Sequence, residues 1–559
     1  MDQAQLNWLT NFIWNIADDV LRDVYVRGKY RDVILPMTVL RRLDAVLEPT
    51  KKDVLEMKAA LDNIVGGPEH STLANDAFRS REFDFMLANP PYGKSWKSDL
   101  ERMGGKKELK DPRFIIQHAG ESDYSLITRS SDGQMMFLAN MLGKMKHDAA
   151  LGSRIAEVHN GSSLFTGDAG QGESNIRRWI IESDWLEAIV ALPLNLFYNT
   201  GIATYVWVLT NRKPAHRRGK VQLIDATQWF RPLRKNMGKK NCELAPEHIQ
   251  RICDTFLAFQ ETPQSKIFPN AAFGYWKVKV ERPLRLHSQL TRQRIETLRY
   301  ASGDEDIRAA LYDELGDTLF ENPASIRKEL EKLLDDWGKA EADEGGEDEA
   351  EGGAKKGLPD KKKKKLLDPD SWQRDAQLVE TATKLREALG DGLFEDHNVF
   401  LQRVAAGLKK LDLHPSASDL KLIVNAVSWR VEDAPRVIKK VHRPGKTQPD
   451  PLRGLYPNPA GDPKLVLEYE PDSELRDFEQ IPLLEPGGIE AFIRREVLPY
   501  TPDAWIVEAD TKIGYEVSFT RHFYQPPKLR TLAEISADIL ALEQETEGLL
   551  TEITKGTTP

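Results

Sequence analysis

The sequence predicts an α/β fold, with a core of strands and helices flanked by helical regions at both ends. Three observations carry this. Between about Ile64 and Pro283, short apolar β-rich runs (Phe83–Ala88, Ile189–Leu192, Tyr205–Leu209 and Val221–Ile224) alternate with helix-like stretches, the pattern of strands joined by crossover helices. Near the start, Trp8, Leu9, Phe12, Ile13, Ile16, Val20 and Leu21 recur at helical spacing. At the far end, Leu532, Ile535, Ile539, Leu542, Thr546, Leu549 and Ile553 step by threes and fours, which is an a/d seam.

Taken in order, residues 1–62 read as a helical remnant, and residues 63–288 as the alternating strand–helix core. Residues 289–340 form a charged helical segment. Residues 341–367 are of low complexity, acidic with glycines and then five consecutive lysines (Lys361–Lys365), and read as a flexible insert because blocks of like charge repel. Residues 368–525 are mixed, with helices expected over Val399–Leu411 and Leu420–Val431 and a strand over Lys464–Glu470. Residues 526–559 form the terminal helix, whose narrow seam suits a partner helix better than a core.

A chain of 559 residues has room for two to four domains, and 40% hydrophobic with 30% charged residues is ordinary for a water-soluble protein. No apolar run approaches the length of a membrane span. Met1-Asp2-Gln3-Ala4 opens no basic-then-apolar leader. Cys242 and Cys253 are the only cysteines; they match no zinc pattern and are expected to be packing residues at helical spacing in a reducing cytoplasm. The net charge is −9, whereas a protein gripping DNA by its phosphates alone is usually basic. Local exceptions are Arg212, Lys213, Arg217, Arg218 and Lys220, then Arg231, Arg234, Lys235, Lys239 and Lys240, which read either as phosphate contacts or as a solvated loop.

The most informative residues are Asn89-Pro90-Pro91-Tyr92, which follow the apolar run directly and precede Gly93. The exocyclic amine of adenine is a poor nucleophile because its lone pair is delocalised into the ring. Two acceptors on its two hydrogens restore lone-pair character; a side-chain amide oxygen can be one and a backbone carbonyl the other. Successive prolines fix φ, and the residue before a proline is pushed to an extended conformation, so the strand ends sharply and the carbonyls hold their aim. Tyr92 offers a flat face for a base swung out of the helix. The plainer reading of the tetrapeptide is a strand-ending turn.

Over these residues the chain resembles the modification (M) subunit of type I restriction–modification systems, an adenine-N6 DNA methyltransferase. The likeness runs through Asp84-Phe85-Met86-Leu87-Ala88-Asn89-Pro90-Pro91-Tyr92-Gly93 and Ser131-Asp132-Gly133-Gln134-Met135-Met136-Phe137-Leu138. It continues through Trp185–Pro193, Phe197–Thr204 and Gly514–Arg521 to the final helix, so it spans Trp8 to Ile553. The resemblance implies a doubly wound methyltransferase sheet, Asn89, Pro90, Pro91 and Tyr92 as catalytic residues, and S-adenosylmethionine as methyl donor. It also implies DNA as substrate, a specificity subunit docked through the C-terminal helix, a restriction subunit in the larger complex, and a cytoplasmic location without a membrane.

One part of the family pattern is missing. The donor half of the sheet normally carries a strand, a Gly-rich turn and a helix, and a βαβ unit needs about thirty residues. Here the helical stretch Pro49–Leu61 runs almost directly into Ile64 and the strand at Phe83, with only Gly66-Gly67-Pro68 between. Gly170-Gln171-Gly172 lies after that strand, and Gly390-Asp391-Gly392 suits a helix end. The sheet is therefore expected to be incomplete, an internal deletion having removed its donor-binding half, with weak or absent methyl transfer. Without that half, an inactive scaffold for the specificity subunit is the alternative function. A nuclease reading rests on Pro502-Asp503 and Asp510-Thr511-Lys512, whose carboxylates would bind magnesium. No Gly-x-x-x-x-Gly-Lys-Ser/Thr loop is present for a translocating motor.

Overall fold

The computed structural model describes residues 73–76, 78–79, 81–198, 200–334, 359–459, 461–462, 465–524 and 531–555. The helical reading of residues 1–62, and residues 341–358 of the charged insert, lie outside the described residues. The chain divides into two units, Met1–Gly274 with Gly514–Pro559, and Tyr275–Ile513.

The first unit is α/β. Among its elements are β1 (Phe85–Ala88), α1 (Gln134–Leu142), β2 (Arg154–Asn160), α2 (Gly172–Glu182), β3 (Leu186–Ala191), β4 (Thr204–Thr210), β5 (Lys220–Asp225), β6 (Arg231–Met237), β7 (Lys240–Glu243), α3 (Pro246–Ala258) and β8 (Ser265–Pro269). Six of the strands form one mixed sheet in the order β1-β2-β4-β3-β5-β8. The pairs β1/β2 and β3/β5 are parallel, while β4 runs antiparallel to both β2 and β3. It follows that β1, β2, β3 and β5 all point one way and end on one rim.

The residue pattern explains the layers. β3, Leu-Glu-Ala-Ile-Val-Ala, is buried along its whole length, as expected of a strand covered on both faces. β2 alternates, and its Ile155, Glu157 and His159 are fully buried. Helices α1 and α2 cover that face; Ile176, Ile180 and Ile181 of α2 are fully buried, each contributing roughly 1.5–3 kcal/mol. On the other face, α3 packs Ile252 and Phe256 near Val190 and Ile224. Toward β1 an apolar cleft of about 560 Å³ remains open, lined by Val158, Val206, Val208, Leu192, Ile252 and Phe256 among others. Phe85 and Leu87 continue this face and are 77% and 83% exposed. Among the described residues β1 is the outermost strand on its side.

The segment after Gly514 returns to this unit. The Val517 amide donates to the Leu164 carbonyl (2.8 Å), and the Tyr515 amide to the Ser174 hydroxyl (3.1 Å). The terminal helix α7 spans Leu532–Lys555, with Leu532, Ile535 and Ile539 exposed; the side chains of Thr546, Leu549 and Ile553 lie outside the described residues.

The second unit packs α4 (Pro369–Leu389), α5 (His397–Lys410) and α6 (Ala417–Ala426) around Leu378, Leu385, Phe400, Val404 and Ile423. A three-stranded sheet pairs Gly274–Glu281 with Asp477–Pro482 and Trp505–Tyr515. A strand at Val466–Tyr469 matches the one read over Lys464–Glu470.

Three readings need correction. Helix α6 stops at Ala426, and Ser428–Arg430 is a strand paired with Leu286–Ser288, so the helix read over Leu420–Val431 was too long; Trp429 and Val431 carry β-favouring side chains beyond the last helical turn. The lysine run is not a flexible tract: Asp360–Leu366 is helical, with Leu366 buried and Lys362 paired to Asp304 at 2.8 Å. The cysteines do not share a helix either, since Cys242 is buried on β7 and Cys253 is exposed on α3.

Candidate active site

β1 ends at Ala88 because Asn89 precedes a proline and cannot turn into a helix. Asn89 is exposed, Pro90 is buried and Tyr92 is half-buried. Burial raises the Tyr92 pKa, so its phenol stays neutral at physiological pH. Gly93 follows at φ +69°, a left-handed conformation that other residues rarely adopt, although a side chain there would meet open space. The corner therefore sits on the rim where β1, β2, β3 and β5 end, where ligands of open α/β sheets bind.

The chain beyond the corner is fastened to the segment before α1. Trp96 is buried, and its amide donates to the Ser130 carbonyl (2.9 Å) while its indole N–H donates to the Arg129 carbonyl (3.0 Å). The Gly133 amide donates to the Lys94 carbonyl (3.1 Å), and the Gly93 amide to the Asp132 carboxylate (3.1 Å). Behind this lies a polar cluster. The Gln134 side-chain nitrogen, with two hydrogens to give, lies 2.7 Å from Asp132 Oδ2, 2.7 Å from Asn160 Oδ1 and 2.9 Å from Ser162 Oγ. The Gln134 side-chain oxygen accepts from the Asn160 amide (3.1 Å) and lies 3.3 Å from His159 Nδ1. His159 Nε2 is in turn 3.2 Å from the fully buried Glu157. Burial raises the Glu157 pKa despite the attraction of His159, which favours a neutral carboxyl. In the sequence Asp132 and Gln134 stand out only as part of the stretch that carries the resemblance, and Asn160, Ser162, His159 and Glu157 do not stand out at all. The signal available was a His, an Asn and a Ser clustered at a strand end.

A Cβ on Gly172 would lie 2.1 Å from the Ile127 carbonyl oxygen, so that glycine is required by close packing of the α2 start.

The basic residues separate into two kinds. Lys213 is buried against Asp184 (2.7 Å), with its pKa lowered by burial. Arg217 is buried and stacks on Phe256 and Phe259, and Arg212 donates to the His147 carbonyl. These hold the fold. The β6–β7 hairpin is different: Arg234, Lys235 and Lys239 are exposed. Asn241 and Lys240 tie it to the carbonyls of Asn195 (3.2 Å) and Leu196 (2.6 Å), just past the end of β3. The hairpin thus shares the rim with the corner, three to four strand spacings away, or roughly 15–20 Å.

Asp503 is held by Arg282 and Arg285, both at 3.2 Å, and Asp510 by Lys279 at 3.0 Å. The two carboxylates of the nuclease pattern are thus engaged separately. Among the described residues no helix is long and apolar enough to cross a membrane.

Residues 53–273 match the N-6 DNA methylase family model. The chain is 30% identical to the type I restriction enzyme MjaIX methylase subunit of Methanocaldococcus jannaschii over 33% of its own length and 30% of that protein's. It is 28% identical to the MjaVII methylase subunit of the same organism over 43% of its length and 37% of that protein's. A solved methyltransferase subunit of a type I restriction-modification system from Streptococcus thermophilus aligns at 25% identity over 36% of this chain and 37% of that one, with a TM-score of 0.28. The matched stretch is about a third of the length of these curated relatives. The chain is thus similar, over part of its length, to the methylase subunits of type I restriction enzymes, with a match to the N-6 DNA methylase model over residues 53–273.

Proposed function

We propose that the chain is the base-holding part of an adenine-N6 DNA methyltransferase of the type I restriction–modification kind. The observation that carries this reading is the Asn89–Tyr92 corner at the end of a parallel strand, on the rim of the sheet, within the matched region. In this reading the Asn89 side-chain oxygen and the Pro90 carbonyl accept the two amino hydrogens of a flipped adenine. Pro91 stiffens the corner and Tyr92 stacks on the base. Attack on the methyl group is a direct displacement, so no covalent nucleophile is needed. S-adenosylmethionine is the methyl source that the family implies. The Gly-rich turn of the family's donor half is missing from this sequence, so the chemistry assigned here is confined to the base. Weak donor binding and slow transfer follow.

The exposed cations Arg234, Lys235 and Lys239 suit phosphates beside the extruded base. The exposed Leu532, Ile535 and Ile539 of α7 suit a helix of the specificity subunit, with the restriction subunit joining the larger complex. That exposed seam also favours the second reading, an inactive scaffold. Co-purification with a specificity subunit, paired with tritiated-methyl transfer to DNA at saturating donor, separates the two. Binding with slow transfer supports the enzyme; binding with no transfer supports the scaffold. In calorimetry, micromolar S-adenosylmethionine affinity of the isolated chain would contradict the account of the donor seat.

A further inference from the structure

We infer that Asp132 is a positioning residue for the Asn89–Tyr92 corner, fixing its aim through the Gly93 amide. The inference rests on the reading of that corner as the base-holding site. β1 is outermost among the described residues, so the corner is braced by the sheet on one side only. Past Tyr92 the first attachment is the Gly93 N–H, given to Asp132 Oδ1 at 3.1 Å. The same oxygen accepts the Gln134 amide at 3.2 Å, and Oδ2 accepts the Gln134 side chain at 2.7 Å. Gln134 is buried and bonded in both directions to Asn160, the last residue of β2. β2 is also the strand that pairs with β1, up to Ala88 opposite Glu157. The corner is thus fixed to one strand end by two routes: directly through β1, and around the loop through Asn160, Gln134, Asp132 and Gly93.

A carboxylate acceptor makes the Gly93 link stronger than a neutral one. Aim matters here because a misplacement of about 1 Å can cost on the order of a hundredfold in rate. A base held by two acceptors tolerates less displacement than one held by stacking alone.

The test uses the full chain assembled with its specificity subunit and DNA, at saturating donor. Asp132→Ala is expected to speed hydrogen exchange of the Gly93 amide at least about tenfold. It is also expected to lower kcat about tenfold or more while leaving the KM for DNA within about twofold. Asp132→Asn, which keeps a neutral acceptor, is expected to fall between wild type and Asp132→Ala in both measures. If Asp132→Ala does not fold, Asp132→Asn decides alone: faster Gly93 exchange with lowered kcat supports the inference. Wild-type exchange in the deciding variant, or faster exchange with unchanged kcat, overturns it. Full transfer by Asn89→Ala would instead overturn the reading of the corner, and Gly93 exchange distinguishes that failure from this one.

Discussion

Arg177, fully buried on α2, donates through Nε to the carbonyl of Tyr515 at 2.5 Å. Its other nitrogens donate to the carbonyls of Ser163 (2.9 Å) and Thr166 (2.8 Å). One side chain thus secures the returning segment, from which α7 extends, to the strands and helices of the first unit. Arg177→Met keeps the bulk and leaves three carbonyls short of a donor, each costing about 1–3 kcal/mol when buried. Urea denaturation is expected to show a loss on the order of 3–5 kcal/mol, with protease cleavage near residues 514–524 appearing earlier. A loss below about 1 kcal/mol would contradict this role.

In the second unit, Arg308 meets Asp375 at 2.6 Å with both side chains buried, and the guanidinium lies over the Trp372 ring. Burial raises the Asp375 pKa against the pull of Arg308, and burial lowers that of Arg308. Desolvation therefore opposes the pair, and breaking it leaves a lone buried charge. Asp375→Ala is expected to cost about 3–5 kcal/mol, and Arg308→Met with Asp375→Leu to recover most of it. Equal losses in the single and double variants, by chemical denaturation, would contradict the argument.

His397 is buried and hydrogen-bonded to Ser288 at 2.7 Å, and burial lowers its pKa from 6.5 to about 4. A neutral histidine in the folded state and a titrating one in the unfolded chain mean that the unfolded state binds more protons between those values. Stability is therefore full above about 6.5 and falls as the pH drops toward 4, with a slope of up to about 1.4 kcal/mol per pH unit from this group. His397→Gln should flatten that slope in denaturation series across the same range. An unchanged slope would show that His397 is not its source.

Phe85 and Leu87 present two large apolar side chains to solvent from an outermost strand, the arrangement that favours self-association. Replacing both by Thr keeps β propensity and removes little burial, so stability should change by less than about 0.5 kcal/mol, while light scattering of concentrated samples should fall. A drop in Tm beyond about 5 °C would mean that this face is covered in the intact protein.

How legible this was in the sequence depended on the distance over which each signal acts. The strands at Ile189–Leu192, Tyr205–Leu209 and Val221–Ile224 were readable because short β-branched runs bounded by turn residues leave few alternatives. The Asn89 strand end was readable because proline acts on its immediate neighbour. The antiparallel placement of β4 between β2 and β3 was not, since strand order is decided by packing across the whole unit. Nor was the sorting of the cations: Lys213 and Arg217 are adjacent in composition to Arg218 yet buried, because Asp184 and the rings of Phe256 and Phe259 lie far off in the chain. The polar cluster around Gln134 escaped for the same reason, since its partners Asn160 and Ser162 come from a later strand end.

The most direct test of the central claim is methyl transfer to DNA by the chain combined with a type I specificity subunit, comparing wild type with Asn89→Ala at saturating S-adenosylmethionine. The expected result is slow transfer to adenine N6 by wild type and none by Asn89→Ala, with the same DNA affinity and subunit assembly in both. Transfer by Asn89→Ala at the wild-type rate, or none by either protein while assembly and DNA binding are intact, would contradict it.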